Sequence, residues 1–362
     1  MVNKLDEARA IINDVDKQMA ELFVRRMRAA ELVFEHKKEF GLPILDQKRE
    51  GAVIERNSAL IEDDVLKEYY VDYLRHMMSV SRAYQYRMQN GLKVAYGGVE
   101  GAFAHIAAGR IFPESERVPY RDFRAAYDSV VNGECDVAVL PVENSYAGEV
   151  GPTMDLIFSG SLFINGIYEL EVHQNLLGVP GSTVDGIRKV MSHPQALAQC
   201  NEYIEGKGLE IREASNTAVA AKIVAESGDS TLGAIASLET AELYGLKVLE
   251  ANINRSGENT TRFAVLTKAR AKPSGPSNSV LMFTVKNEAG SLANAIGIIG
   301  KYGYNMTSLH SRPLKEYSWE YYFYIEVDGT VDGDNGARMM SELGAVCDML
   351  KVVGTFIPHT SI

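Results

Sequence analysis

The stretch Lys4–Glu39, KLDEARAIINDVDKQMAELFVRRMRAAELVFEHKKE, has neither glycine nor proline, and its reading sets the character of the N-terminal module. Ile11, Ile12, Val15, Met19, Leu22, Met27, Ala30 and Val33 recur at helical spacing. At 1.5 Å per residue one helix of that length runs roughly 50 Å, longer than a small domain is wide. Its apolar stripe therefore calls for another chain, and a homodimer or higher homo-oligomer is expected. Gly41 and Pro43 end this helix, and two shorter helical patterns follow, Asp46 to Ile61 and Asp64 to Gln89.

Beyond this helical head the sequence changes character twice. From Lys93 to about Val248, strand patterns (CDVAVLPV, ELEVHQNLLGVP, IRKVMS, TLGAIAS) alternate with helix patterns (FRAAYDSVVN, ALAQCNEYIEG, TAVAAKIVAES). The alternation runs once from Lys93 and again from Glu169, which predicts two α/β lobes with a ligand cleft between them. After Lys268 the segment ARAKPSGPSNS has linker composition. The tail then reads as strand SVLMFTV, helix SLANAIGIIGKYG, strands NMTSLHSR and WEYYFYIEV, helix ARMMSELGAV and strand LKVVGTF. That β-α-β-β-α-β order is ferredoxin-like. The expected chain is thus multi-domain: an all-α domain over 1–90, a two-lobed α/β domain over 92–268 and an α+β domain over 279–362.

A length of 362 residues is itself suited to two or three domains, and 46% hydrophobic with 23% charged residues is an ordinary soluble composition. Residues 1–90 hold 15 basic and 16 acidic side chains, so nearly all of the net charge of −11 lies downstream. An acidic chain is a poor nucleic-acid partner, since phosphates need clustered lysine and arginine. Cys135, Cys200 and Cys347 have no CxxC spacing, and the seven histidines form no ligand cluster, so neither disulfide nor metal is expected. No run approaches the roughly 18 apolar residues that span a bilayer, and MVNKLDEARA lacks a secretory core; a cytoplasmic protein is expected.

In the helical head, Arg9, Arg26, Lys37 and Arg49 lie among Asp46, Glu50, Ser81 and Gln85, with no nucleophile, metal set or nucleotide loop. On an ideal helix Arg26 and Lys37 differ by about 20°, whereas Arg9 lies about 100° from Arg26. One straight helix does not aim all three inward, but Arg9 of an antiparallel partner completes the set. Asp46, Arg49 and Glu50 share one face of the second helix, and Ser81 and Gln85 one face of the third. Spacing alone also suits a solvated face of i,i+4 pairs. LDQKRE (45–50), SRAYQ (81–85) and the helix length closely resemble the all-helical, intertwined chorismate mutase family over residues 1–90. The resemblance carries over to Arg9, Arg26, Lys37, Asp46, Arg49, Glu50, Ser81 and Gln85 without departure, with Arg9 supplied by the partner subunit. It implies a pericyclic rearrangement of chorismate to prephenate, which needs no cofactor.

In the α/β region YGGVEGAFAH (96–105) follows a strand and opens a helix, a context for anion binding, although it lacks the GxGxxG spacing of a dinucleotide loop. PVENSYAGEV (141–150) and SHPQALAQC (192–200) put Glu143, Asn144, Ser145, Ser192, His193 and Gln195 at strand ends. Asn144 and Ser145 equally suit a turn, and Ser192 equally suits a cap for the helix after Pro194. With SNTA (215–218) and NTTRF (259–263), these segments resemble prephenate dehydratase over about 92–268, whose domain is two-lobed like the periplasmic binding proteins. The resemblance implies Thr261 as catalytic and Glu143, Asn144, Ser145, Ser192, His193, Gln195, Asn216, Thr217, Arg262 and Phe263 as substrate-binding. Glu143 and His193 are the candidate proton sources. Ala102 and Ala104 stand where the family carries hydroxyls, so arogenate remains an alternative to prephenate as substrate.

NEAGSLANAIGII (287–299) and SLHSRP (308–313) resemble the two ligand segments of the ACT regulatory domain. The resemblance implies phenylalanine as effector, bound by Gly290, Ser291, Leu292, Ser311, Arg312 and Pro313 at a subunit interface, with His310 in place of the family's glutamate. The expectation is a bifunctional enzyme of phenylalanine biosynthesis under feedback control. Two alternatives stand beside it: a binding protein that captures an anion in the cleft, and a dimerisation tail without ligand.

Overall fold

The computed structural model describes residues 3–254, 259–314, 320–358 and 360–362, and the chain divides into two compact units, Met1–Gly91 and Leu92–Ile362. In the first, α1 (Lys4–Glu39), α2 (Gln47–Ser58) and α3 (Asp64–Asn90) form an all-helical unit. Each start has a side-chain cap: Asn3 accepts from Leu5 N, Asp46 from Arg49 N, and Asp63 from Val65 N and Leu66 N. Gly91, at φ 78°, stops α3. The buried residues, Ala30, Phe34, Ile44, Leu74, Met78, Ser81 and Gln85, belong to the later half of α1, the turn after it and α3. Ile11, Ile12, Val15 and Met19 of the first half of α1, and Leu22 just beyond it, are 42 to 60% exposed.

The second unit holds two sheets. Its first lobe comprises β1 (Lys93–Gly97), α4 (Phe103–Ile111), β2 (Glu116–Tyr120), α5 (Phe123–Asn132), β3 (Val137–Asn144), β4 (Gly148–Glu149), α6 (Gly151–Ser159) and β5 (Phe163–Glu171). The chain then crosses to a second lobe of β6 (Asn175–Gly178), β7 (Lys189–Ser192), α7 (Pro194–Gln199), α8 (Asn201–Lys207), β8 (Glu210–Glu213), α9 (Thr217–Ser227), β9 (Leu232–Ala236), α10 (Leu238–Tyr244) and β10 (Lys247–Glu250). It returns to the first lobe through β11 (Thr260–Thr267), which lies antiparallel between β3 and β5. The single strand expected for ELEVHQNLLGVP is therefore two strands in different sheets, because the backbone changes lobe between Glu171 and Asn175.

The tail runs β12 (Asn278–Thr284), α11 (Ser291–Lys301), β13 (Met306–Pro313), β14 (Tyr321–Asp328), α12 (Asp334–Gly344), β15 (Met349–Phe356) and β16 (Thr360–Ser361). Trp319, which opens the expected WEYYFYIEV strand, lies outside the described residues. Strand order in the larger sheet is β13-β14-β12-β15-β5-β11-β3-β1-β2, so the tail's strands continue those of the first lobe. The join is parallel on β5: Gly354 of β15 pairs with Ile164, and Thr360 and Ser361 of β16 pair with Tyr168 and Glu169. A Cβ at Gly354 would lie 2.0 Å from the Ile164 carbonyl oxygen, so only glycine permits that approach. Alternate residues of β12 enter different cores, as a period of two requires. Leu281 and Phe283 meet Ile298, Met339 and Leu343 of the tail helices, whereas Val280 and Met282 join Leu140, Met154, Ile157 and Ile164 of the first lobe. The smaller sheet has order β10-β6-β9-β7-β8 and a core on each face.

Candidate active site

In the helical unit the buried and half-buried polar groups cluster along α3. Arg26 on α1 donates to the hydroxyl of Ser81, which also donates to Met77 O at 3.1 Å. Glu50 on α2 pairs with Arg82 at side-chain exposures near one quarter. Lys37 donates to the carbonyl of Ile44 in the loop before α2. Gln85 is buried, and its Oε1 has no partner among the described residues. Asp46 caps α2, accepting from Arg49 N at 2.9 Å, with the Arg49 side chain exposed. Arg9 stands apart on the exposed part of α1, 4.0 Å from Asp6.

Between the two lobes of the second unit lies a cavity of about 640 Å³. Thr261 and Phe263 line it from β11, Asn144 from the end of β3, His193 and Gln195 from the start of α7, and Asn216 and Thr217 from the start of α9. Asn144 is its organising group. Its Oδ1 accepts from Tyr146 N at 3.1 Å and Ala147 N at 3.0 Å, which fixes the amide and directs Nδ2 to Thr261 Oγ1 at 2.9 Å. Gln195 Nε2 approaches the same Oδ1 at 3.4 Å. His193 Nδ1 accepts from Gln195 N at 3.2 Å, which leaves the proton of a neutral ring on Nε2.

The first turns of α4, α5 and α9 also open on this cavity, through Phe103 and Ala104, Phe123 and Thr217. Helix N-termini carry unsatisfied N–H groups and partial positive charge. Asp122 and Asn216 cap α5 and α9, whereas α4 begins at Ala102 with no side-chain cap, so its first N–H groups remain for an anion.

The chorismate mutase type II family model matches residues 8–86 and the prephenate dehydratase family model matches residues 94–271. The chain is 31% identical, over 98% of both lengths, to the bifunctional chorismate mutase/prephenate dehydratase of Aquifex aeolicus. It belongs to this bifunctional family. Among solved structures, one described as a novel type of quorum quenching acylase is 33% identical, covers 73% of this chain and 97% of its own, and has a TM-score of 0.67. A prephenate dehydratase from Arthrobacter aurescens in complex with L-Phe is 24% identical, covers 73% of this chain and 89% of its own, and has a TM-score of 0.68. The chain is a chorismate mutase and a prephenate dehydratase, and its fold joins a helical unit to a periplasmic-binding-protein-like one.

In this bifunctional enzyme four residues expected at the dehydratase substrate lie elsewhere. Ser192 is fully buried and donates to Ile235 O at 2.6 Å; it neither faces the cavity nor caps α7, which His193 does. Ser145 Oγ accepts from Thr260 N at 3.0 Å outside the cavity lining. Glu143 and Arg262 pair with each other at 3.0 Å on the opposite face from Asn144 and Thr261, because neighbours on a strand point opposite ways. Arg262 is held there by Glu326 of β14 through two bonds, 3.0 and 2.8 Å. Burial opposes the charge on Arg262, but the hydrogen bonds and field of Glu326 outweigh it and raise its pKa. Burial, then the field of Glu326, pushes the Tyr324 hydroxyl well above its usual range as it donates to Glu326 at 2.6 Å.

Arg312, expected at the effector, and His310, in place of the family's glutamate, turn to the first lobe. Arg312 reaches Asp155 at 3.1 Å and Glu149 at 3.3 Å, and His310 lies 3.1 Å from Glu149 and 3.6 Å from Glu143. Ser311 and Pro313, on the other face of β13, are exposed, and Gly290 enters α11 at φ 89° with Ser291 and Leu292 following. Gln174 and Gln199, buried in the dehydratase cavity wall, were missed by sequence reading. Their nearest signal is that Gln199 follows Gln195 by four residues, on the same face of α7.

Proposed function

We propose that the helical unit rearranges chorismate in a cage built by two copies of the chain, and that the cleft converts the resulting prephenate to phenylpyruvate. The first reaction moves no proton; it needs two carboxylates gripped in a compact conformer. Arg26, Arg49 and the second copy's Arg9 hold the carboxylates, Glu50 holds the ring hydroxyl, and Lys37 and Gln85 face the breaking ether oxygen, where negative charge grows. Ser81 steadies Arg26, and Asp46 fixes the start of the helix that carries Arg49 and Glu50. The amide oxygen of buried Gln85, without a partner among the described residues, supports a ligand contact there, and the exposed apolar stripe of α1 supports a homodimer.

The observation that carries the dehydratase mechanism is the bond from Asn144 Nδ2 to Thr261 Oγ1. It occupies a lone pair of the hydroxyl and leaves the Thr261 proton to point at substrate. As the ring carboxylate departs as carbon dioxide, its electron pair enters the ring, and the ring hydroxyl leaves as water with a proton from Thr261. Threonine is a weak acid, so Thr261 acts as a positioned donor, and the proton it gives up is restored from solvent entering the cleft that His193 lines. Glu143, paired on the far face, is not the proton source. Substrate carboxylates rest on the N-terminal turns of α4 and α9, beside Asn216 and Thr217, with Gln195 and Phe263 against the ring.

The tail we read as an ACT domain that binds phenylalanine at Gly290, Ser291, Leu292 and Ser311 between two copies, and that favours a less active dehydratase when occupied. Its β-α-β-β-α-β order and the L-Phe complex of the Arthrobacter aurescens relative support this. Incubation with chorismate should give prephenate, then phenylpyruvate, with the second step slowed by phenylalanine; a parallel incubation with arogenate tests substrate preference. Dehydratase rates indifferent to saturating phenylalanine would reduce the tail to assembly.

A further inference from the structure

Gln174 lies where the chain crosses from β5 to β6, in the wall of the dehydratase cavity, and is 2% exposed. Its backbone is held on both sides: N–H donates to Asn254 Oδ1 at 3.0 Å, and C=O accepts from Ile253 N at 2.8 Å. Its amide nitrogen reaches Gln199 Oε1 at only 3.4 Å, and its own Oε1 has no partner among the described residues. A buried amide oxygen without a donor costs stability unless a ligand satisfies it. The mechanism described above gives this residue no task.

Its position relative to the reacting group follows from α7. Gln195 meets Asn144, which holds Thr261, and Gln199 meets Gln174; the two α7 glutamines are one helical turn apart. Gln174 is therefore displaced along α7 from the hydroxyl that protonates the leaving group. The substrate has a matching length, with its hydroxyl at one pole of the ring and its carboxylate and three-carbon side chain at the other. We propose that Gln174 reads that side chain and sets the choice between its keto form, in prephenate, and its amino form, in arogenate. This rests on the dehydratase mechanism proposed above. An amide offers N–H groups to a ketone and an oxygen to an ammonium, so the wild-type residue tolerates both; an acceptor-only or an apolar side chain does not.

The test compares kcat and KM for prephenate and arogenate in the full-length wild type, Gln174→Glu and Gln174→Met, with thermal unfolding of each. Gln174→Glu should shift the ratio of kcat/KM values toward arogenate by at least about tenfold, since a carboxylate favours the ammonium and opposes the ketone. Gln174→Met should raise KM for prephenate about tenfold with kcat changed much less, the pattern of a lost binding contact. A ratio within twofold of wild type in a cooperatively folding Gln174→Glu would overturn the proposal. Should that variant not fold, an unchanged KM in Gln174→Met would do so. Wild-type turnover of prephenate with an unmoved ratio would leave the dehydratase mechanism standing and remove only the role of Gln174.

Discussion

Arg262 and Glu326 form a two-pronged ion pair that fastens the strand bearing Thr261 to the tail's sheet, with Glu326 only 3% exposed. Bidentate geometry offsets the desolvation of both groups, but removing one partner leaves the other charge stranded. Glu326→Ala should destabilise the second unit by about 3 kcal/mol in urea unfolding, because among the described residues buried Arg262 then keeps only Glu143 and the distant Glu169. Mutase turnover should be untouched.

Asn144 Nδ2 donates one hydrogen bond, 2.9 Å long, to Thr261 Oγ1. Asn144→Ala should lower dehydratase kcat about a hundredfold, the scale of a misdirected general acid, with a smaller change in KM. An equal rise in KM at constant kcat would instead mark Asn144 as a plain binding residue.

Lys37→Ala and Arg9→Ala should each cost the mutase about 10² to 10³ in kcat. If Arg9 works in the partner's cage, mixed dimers of the two variants contain one cage with both residues intact. Refolding the two together should therefore restore mutase activity that neither shows alone. Failure of complementation would mean that Arg9 serves its own chain.

Gly354 lets β15 lie against β5 and joins the tail to the first lobe. Gly354→Ala should cost about 1 to 3 kcal/mol in thermal or urea unfolding, since its Cβ would meet the Ile164 oxygen. Gly297→Ala, in α11 with nothing within 4 Å of the added carbon, should be neutral or stabilising by about 0.5 to 1 kcal/mol.

Much of this architecture was legible in residue patterns. The glycine-free run Lys4–Glu39 is one helix, and FRAAYDSVVN and TAVAAKIVAES are helices over those same residues. Strands β2, β8 and β10 carried only a weak apolar pattern because they lie at edges of the two sheets, where charged side chains are exposed. In the dehydratase cleft, motif membership gave the right segments but not the right faces. Thr261 and Phe263 reach the cavity while Arg262 between them does not, and the tail carboxylate that claims it is 64 residues away. Gln174 escaped notice because HQNLL reads as mid-strand, and only the crossing between lobes turns it into a cavity wall.

The most direct test of one chain with two independent, consecutive sites is to feed chorismate to Thr261→Ala and follow both products. Prephenate should accumulate at the wild-type rate while phenylpyruvate formation falls by about 10² to 10⁴. Phenylpyruvate appearing at the wild-type rate, or prephenate formation collapsing alongside it, would contradict the account.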